Sequence, residues 1–383
     1  MSLSKMTALT NGRVLTDEGL ADDLCVLLQH GRIVDVVTPG DARCEGAQQR
    51  DLGGNLLLPG FIDSQVNGGG GVLFNDAPSV EAIRAIGNAH RKFGTTGFLP
   101  TLISADLDVV ARAIAAVQDA LASAVPGVLG IHIEGPFLNV ERKGIHDPEK
   151  IRELDPNAVE LLTSLRGGRT LVTLAPEMTT PDMIKRLVIA GVVVSAGHTN
   201  ATYQQIRGAL QEGLTGFTHL FNAMSQLTGR APGVVGAALD DPDSWCGIIV
   251  DGEHTDPVVL RISMRCKRHD RFMLVTDAMP SVGTHNKSFD LQGRKITVSG
   301  NLCLDEDGRL AGSNIDMASC VRNAMSLLGL PLVEAVRMAS LYPAEFLGVA
   351  HEIGRIAPGY RANLVLADDQ LQVLDTWIDG VCD

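Results

Sequence analysis

Eight times between residues 59 and 279 a short apolar run closes on polar side chains, and about a helix length later the next run begins. The runs read GFIDSQVNG, TGFLPTLIS, VLGIHIEG, TLVTLAPE, VVVSAGHT, GFTHLFNAM, CGIIVDGEH and RFMLVTDAM. Helices are expected after six of them, over 79–93 (Ser79 as N-cap, Glu81 in the first turn), 106–123, 157–165, 181–190, 201–212 and 257–268. The sixth run leads into a loop containing glycine and proline. Apolar strands alternating with helices are what a parallel sheet covered on both faces requires. Their count and order specify an α/β fold, a (β/α)8 TIM-type barrel. A doubly wound open sheet is the competing architecture, but no GxGxxG opens a helix after the first run.

The two ends of the chain have a different texture. Residues 8–58 alternate apolar runs with NG, HG and GG turns, which reads as a small antiparallel sheet. The strand-and-turn pattern returns from Gly354 in GRIAPGYRANLVLADDQLQVLDTWIDGV. The ends are therefore expected to pair into one discontinuous small β-domain, with 1–58 and 347–383 in that domain and 59–346 in the barrel. Between Met279 and the last helices, expected at 316–328 and 332–346, lies an insertion of strand-like fragments, KSFDLQGRKITVSG and LCLDEDGRLAGS.

A net charge of -13 argues against nucleic acid or an anionic membrane as partner, since both demand broad positive potential. Any anionic substrate then needs a local cationic pocket. The seven cysteines are odd in number, widely spaced and form no CxxC pair, a pattern of reduced thiols rather than of a disulfide framework. With no signal-peptide core and no run of membrane-spanning length, the expected location is the cytoplasm.

The reactive side chains gather where a barrel of this kind builds its active site, at the C-terminal ends of the strands. Run one ends in Asp63, Gln65 and Asn67, run three in Glu134, run five in His198 and run six in His219 and Asn222. Run seven supplies Asp251 and His254, and run eight Asp277. Turn and cap residues also collect at strand ends, so Asp63 or Asp251 alone would fit either role equally. The set carries more. Two imidazoles and one carboxylate on three separate strands form the ligand set of a catalytic zinc centre that keeps one position open. His132, two residues before Glu134 and on the same strand face, is expected to be a satisfied core histidine. His90 is expected to pack at its helix end, and His30, His269, His285 and His351 to sit in solvent.

The wording of these segments resembles the sugar-phosphate deacetylases of the amidohydrolase superfamily. The resemblance rests on PGFIDSQVNG, HIEGPF with KGIHDPE, SAGHTNA, THLFNAM with TGRAPG, VDGEHT, VTDAMP, RLAGS and GRIAPGYRANLVL. These span residues 59–366, nearly the whole chain, and HIEGP and THLFNAM are specific to the deacetylase branch. Many superfamily members carry His-x-His at the end of strand one, which supplies a second metal. Here Asp63-Ser64-Gln65 stands in its place, so Gln65 marks a vestigial second-metal position. The resemblance implies one divalent ion on Glu134, His198 and His219, zinc first, with iron, manganese or cobalt also suited to such donors.

The same resemblance implies hydrolysis of the acetamide of N-acetyl-D-glucosamine 6-phosphate to D-glucosamine 6-phosphate and acetate. N-acetylgalactosamine 6-phosphate, or another small amide, is the alternative substrate. Asp277 matches the general acid/base and His146 the donor to the carbonyl oxygen. Arg230, His254, Asn222 and Ala223 match phosphate contacts, with Ile145, Asp251, Leu310, Ala311 and Gly312 also at the substrate. A homodimer with its phosphate pocket near the subunit interface is implied as well.

Overall fold

A computed structural model describes residues 6–382. Its centre is an eight-stranded parallel sheet whose strands pair in chain order. They are β1 (Phe61–Val66), β2 (Thr95–Ile103), β3 (Gly130–Glu134), β4 (Arg169–Leu174), β5 (Val193–Ala196), β6 (Gly216–Phe217), β7 (Trp245–Ile248) and β8 (Phe272–Leu274). Side-chain alternation sorts the two faces. Ile131, Ile133, Val172, Leu174, Val194, Phe217, Ile248 and Leu274 join the main apolar core. His132, Leu171, Ser195, Gly247 and Met273 border a common small cavity inside the barrel. A parallel bridge from Val66 to Ala278 brings the last strand back to the first. Asp63 reinforces that seam by accepting from the Thr276 hydroxyl (2.5 Å) and backbone N–H (3.3 Å).

A helix follows every strand: Val80–Arg91, Leu107–Ala122, Pro156–Leu162, Pro181–Ile189, Tyr203–Gln211, Gly233–Asp240, Pro257–Cys266 and Met317–Leu328. Ser79, Asp155, Thr180, Thr202, Asp256 and Asp316 cap six of them through side-chain oxygens. The helix Gly233–Asp240 corrects the expectation of a loop after the sixth run. All of Gly233 to Ala238 is buried, so the segment shows no polar face from which a helical period could be read. The expected helix at 332–346 is two, Leu332–Ala339 and Leu341–Phe346. Pro343 has no N–H to offer the Ala339 carbonyl, and the chain breaks at Ser340.

The terminal segments share one sheet. Leu56–Pro59 pairs in parallel with Thr7–Thr16 and antiparallel with Leu364–Ala367, so the sheet is mixed rather than purely antiparallel. Leu9, Val26, Leu57, Leu364 and Trp377 fill its own core. The insertion folds as a four-stranded antiparallel sheet, Ser288–Leu291, Arg294–Ser299, Leu302–Leu304 and Leu310–Ser313. It is pinned to the end of β8, where the Ser313 N–H donates to Asp277 O (2.9 Å) and the Met279 N–H to Ser313 O (3.0 Å). No helix of the described residues is long and apolar enough to cross a membrane.

Phe346 and Leu347 pack with Ile62, Leu99, Leu171 and Met273 from the strands. The fit is tight at β6, where a Cβ on Gly216 would lie 2.8 Å from the Phe346 ring and 2.9 Å from Ser195 Oγ. Gly216→Ala is therefore expected to destabilise the fold by about 1–3 kcal/mol, measured as a lowered midpoint of chemical denaturation.

Candidate active site

A cavity of ≈ 500 Å³ opens over the C-terminal ends of the strands. Asn67, Ile103, Glu134, His198, His219, His254 and Asp277 enter it from the strand ends, and Ile145, His146, Leu310 and Gly312 from the longer loops. Three of these side chains sit on left-handed backbone: His198 (φ 48°), His219 (φ 34°) and Asp277 (φ 52°). A non-glycine residue pays about 1–3 kcal/mol for such a conformation, which persists where surrounding structure imposes it.

Glu134 Oε1 lies 3.1 Å from His198 Nε2 and 3.0 Å from His219 Nε2, and the two nitrogens are 3.0 Å apart. His198 Nδ1 is 2.9 Å from the Arg142 carbonyl oxygen. A carbonyl only accepts, so Nδ1 carries the proton and Nε2 of the neutral ring presents a lone pair. Two ring nitrogens and a carboxylate oxygen this close cannot be satisfied together by one shared proton. A divalent cation satisfies all three, and the donor set fits one. Burial pushes the Glu134 carboxyl up, but the His198 and His219 rings packed against it outweigh burial and hold the group well below the usual carboxylate range.

Gln65 lies beside this triad. Its Nε2 is 3.1 Å from both Glu134 Oε2 and Asp277 Oδ1, so the two amide protons bridge two carboxylates. Asn67 Nδ2 donates to the same Asp277 oxygen at 2.6 Å. With Oδ1 taking two donors, Oδ2 is the oxygen left to exchange a proton. Burial, and then the charge of Glu134, push the Asp277 carboxyl up to about 6.

His146 packs against His198 with ring centroids 4.4 Å apart and planes tilted by 59°. The Ser104 backbone N–H donates to His146 Nδ1 (3.2 Å), which leaves the proton of the neutral ring on Nε2 as a donor. Burial, then the neighbouring His198, lower the His146 pKa well below that of a free imidazole, so the ring is neutral at pH 7.

Other expected residues divide between the cavity and its supports. Ile145, Asn222, Ala223, His254, Leu310 and Gly312 line the cavity. Asp251 does not: it lies behind His254 and accepts from its Nδ1 at 2.5 Å, which leaves Nε2 as the free ring nitrogen. Ala311 points away into the apolar core of the inserted sheet, because its neighbours Leu310 and Gly312 take the opposite face of that strand. Arg230 is exposed and stands apart from the cavity of its own chain. It lies on the loop between β6 and the helix Gly233–Asp240. His132 is fully buried between the hydroxyls of Thr101 (3.3 Å) and Thr173 (2.7 Å), as a satisfied core histidine. His90 is likewise buried, with Nε2 2.9 Å from Gly68 O.

The cavity also holds two cations that the sequence reading passed over, Arg142 and Arg309. Arg309 opens the RLAGS segment already singled out, where only Leu310 to Gly312 were given a role. Arg142 lies between two motifs, and no signal in the sequence marks it.

The profile of the amidohydrolase family matches residues 56–382. The N-acetylgalactosamine-6-phosphate deacetylase of Shewanella sp. (strain ANA-3) is 42% identical over 369 residues, 96% of this chain and 93% of the relative. The N-acetylglucosamine-6-phosphate deacetylase of Haemophilus influenzae is 39% identical, covering 97% of this chain and 98% of its own. Among solved structures, N-acetylglucosamine-6-phosphate deacetylase from Pasteurella multocida superposes with a TM-score of 0.95 at 37% identity, over 99% of both chains.

Proposed function

The chain belongs to the amidohydrolase family, and from that premise we propose that it removes the acetyl group of N-acetyl-D-glucosamine 6-phosphate, giving D-glucosamine 6-phosphate and acetate. The observation that carries this reading is the convergence of Glu134, His198 and His219 on one point beside Asp277. In our reading Glu134, His198 and His219 hold one divalent ion, zinc first on ligand type. Such an ion supplies Lewis acidity, lowering the pKa of a nearby water and polarising an amide carbonyl.

The remaining chemistry belongs to the side chains. Asp277 Oδ2 takes a proton from the attacking water and passes it to the leaving nitrogen. Gln65 and Asn67 hold the other oxygen, so the carboxylate stays turned toward the reacting atoms. His146 Nε2–H donates to the carbonyl oxygen as it gains negative charge, a contact worth on the order of 3 kcal/mol in the transition state. The cationic Arg142 and Arg309 offset the acidity of the whole chain at the cavity where an anionic sugar phosphate must enter, and the His254 ring, oriented by Asp251, faces the same space. An amine-release assay on N-acetylglucosamine 6-phosphate, paired with metal analysis of the protein, tests the reading. No acetate release from a protein carrying one ion per chain would overturn it.

The 42% identity to a galactosamine-type enzyme favours N-acetylgalactosamine 6-phosphate as the second reading. The ratio of kcat/KM for the two epimers decides between them, and a clear preference for the galactosamine epimer replaces the first reading.

We further propose a cytoplasmic homodimer in which Arg230 serves the phosphate pocket of the neighbouring subunit. Its exposed position outside its own cavity supports this. Arg230→Ala is expected to raise KM for the phosphorylated sugar roughly 10- to 100-fold, the range of a lost charge-assisted contact. The unphosphorylated sugar should show no such change. Equal effects on both sugars would remove Arg230 from phosphate recognition.

A further inference from the structure

Just beyond the end of β4, in the single turn Pro176–Met178, stands Glu177, a residue to which the mechanism above assigns nothing. Its carboxylate receives three hydrogen bonds. Oε1 accepts from Asn139 Nδ2 (2.9 Å) and from the Asn200 backbone N–H (2.6 Å), and Oε2 from the Thr199 hydroxyl (2.5 Å). Thr199 and Asn200 directly follow His198. Asn139 opens the segment that continues to Arg142, and that segment grips His198 twice. The Asn139 N–H donates to the His198 carbonyl (2.9 Å), and the Arg142 carbonyl accepts from His198 Nδ1 (2.9 Å). The Arg142 side chain closes the loop by donating to Asn200 Oδ1 at 3.0 Å.

We infer that Glu177 is a positioning residue for His198: one carboxylate ties together the two segments that set the backbone, ring angle and tautomer of an imidazole in the metal triad. The inference rests on the reading of Glu134, His198 and His219 as metal ligands. The left-handed backbone at His198 shows why such a clamp is needed, since an unrestrained residue would relax to a commoner conformation and swing the ring away. Supports of this kind around a metal-bound histidine typically govern affinity by 10- to 100-fold.

The test is the zinc dissociation constant, measured by competition with a chromogenic chelator, for wild type, Glu177→Gln and Glu177→Ala. Thermal midpoints of the metal-free proteins are recorded alongside. Glu177→Ala is expected to weaken zinc binding about 10- to 100-fold, and Glu177→Gln, which keeps one acceptor oxygen, to fall between it and wild type. The visible spectrum of the cobalt-substituted alanine variant should also shift, because one ligand is reoriented. Wild-type zinc affinity and an unchanged cobalt spectrum in Glu177→Ala, with only a lowered thermal midpoint, would overturn the inference and leave Glu177 a stabilising residue. Should the alanine variant not fold, the glutamine variant decides by the same two readouts. A Glu134→Ala control separates the two levels: if it too binds zinc like wild type, the ligand assignment has failed rather than the role of Glu177.

Discussion

Asp277→Asn is expected to lower kcat by about 10³-fold while the protein keeps its bound metal, because the substitution preserves shape and removes a base. The asparagine can still occupy the space beside Gln65 and Asn67, but its amide cannot carry a proton from water to the leaving nitrogen. Single-turnover assays with metal analysis of the same samples measure both quantities. The unsubstituted protein should lose kcat/KM as the pH falls through about 6, where the raised Asp277 carboxyl becomes protonated and can no longer accept. That acid limb should be absent from the residual activity of Asp277→Asn. Turnover at the wild-type rate in this variant would remove Asp277 from the chemistry.

Loss of the metal is expected to have the other large effect. Dialysis against a strong chelator should abolish deacetylation, and added zinc should restore it. Glu134→Ala should be inactive and not restorable at stoichiometric zinc. Glu134 lies against both histidines at 3.0–3.1 Å and is bound by Gln65 as well, so its removal takes away the one anionic donor and leaves two imidazoles facing each other. Full activity in a verified metal-free preparation would contradict the assignment.

The resemblance pointed correctly to the amidohydrolase family, and the eight-run alternation to its barrel. Both rest on local signals: apolar runs of strand length, capped helices between them, and donors placed at one end of each run. The errors in the fold also have local causes. Gly233–Asp240 is buried on all sides and so shows no helical stripe, and Pro343 splits a helix that side-chain pattern alone would continue. At the site, the rule that reactive residues gather at strand ends marks Glu177 as readily as it marks His198. It was passed over because a carboxylate that binds backbone and amide groups has no motif of its own.

By itself the sequence determined the order of strands and helices, and which donors stand at the strand ends, since both follow from neighbours in the chain. Only the tertiary structure decided which of those residues reach the cavity. Asp251 turns out to stand behind His254, Ala311 faces away from the cavity, Arg230 lies outside it, and Arg142 and Arg309 lie within it. The reason is distance along the chain. Glu177 meets Asn139 across 38 residues and Gln65 meets Asp277 across 212, so such contacts exist only once the barrel has closed and set the relative depth of its strands.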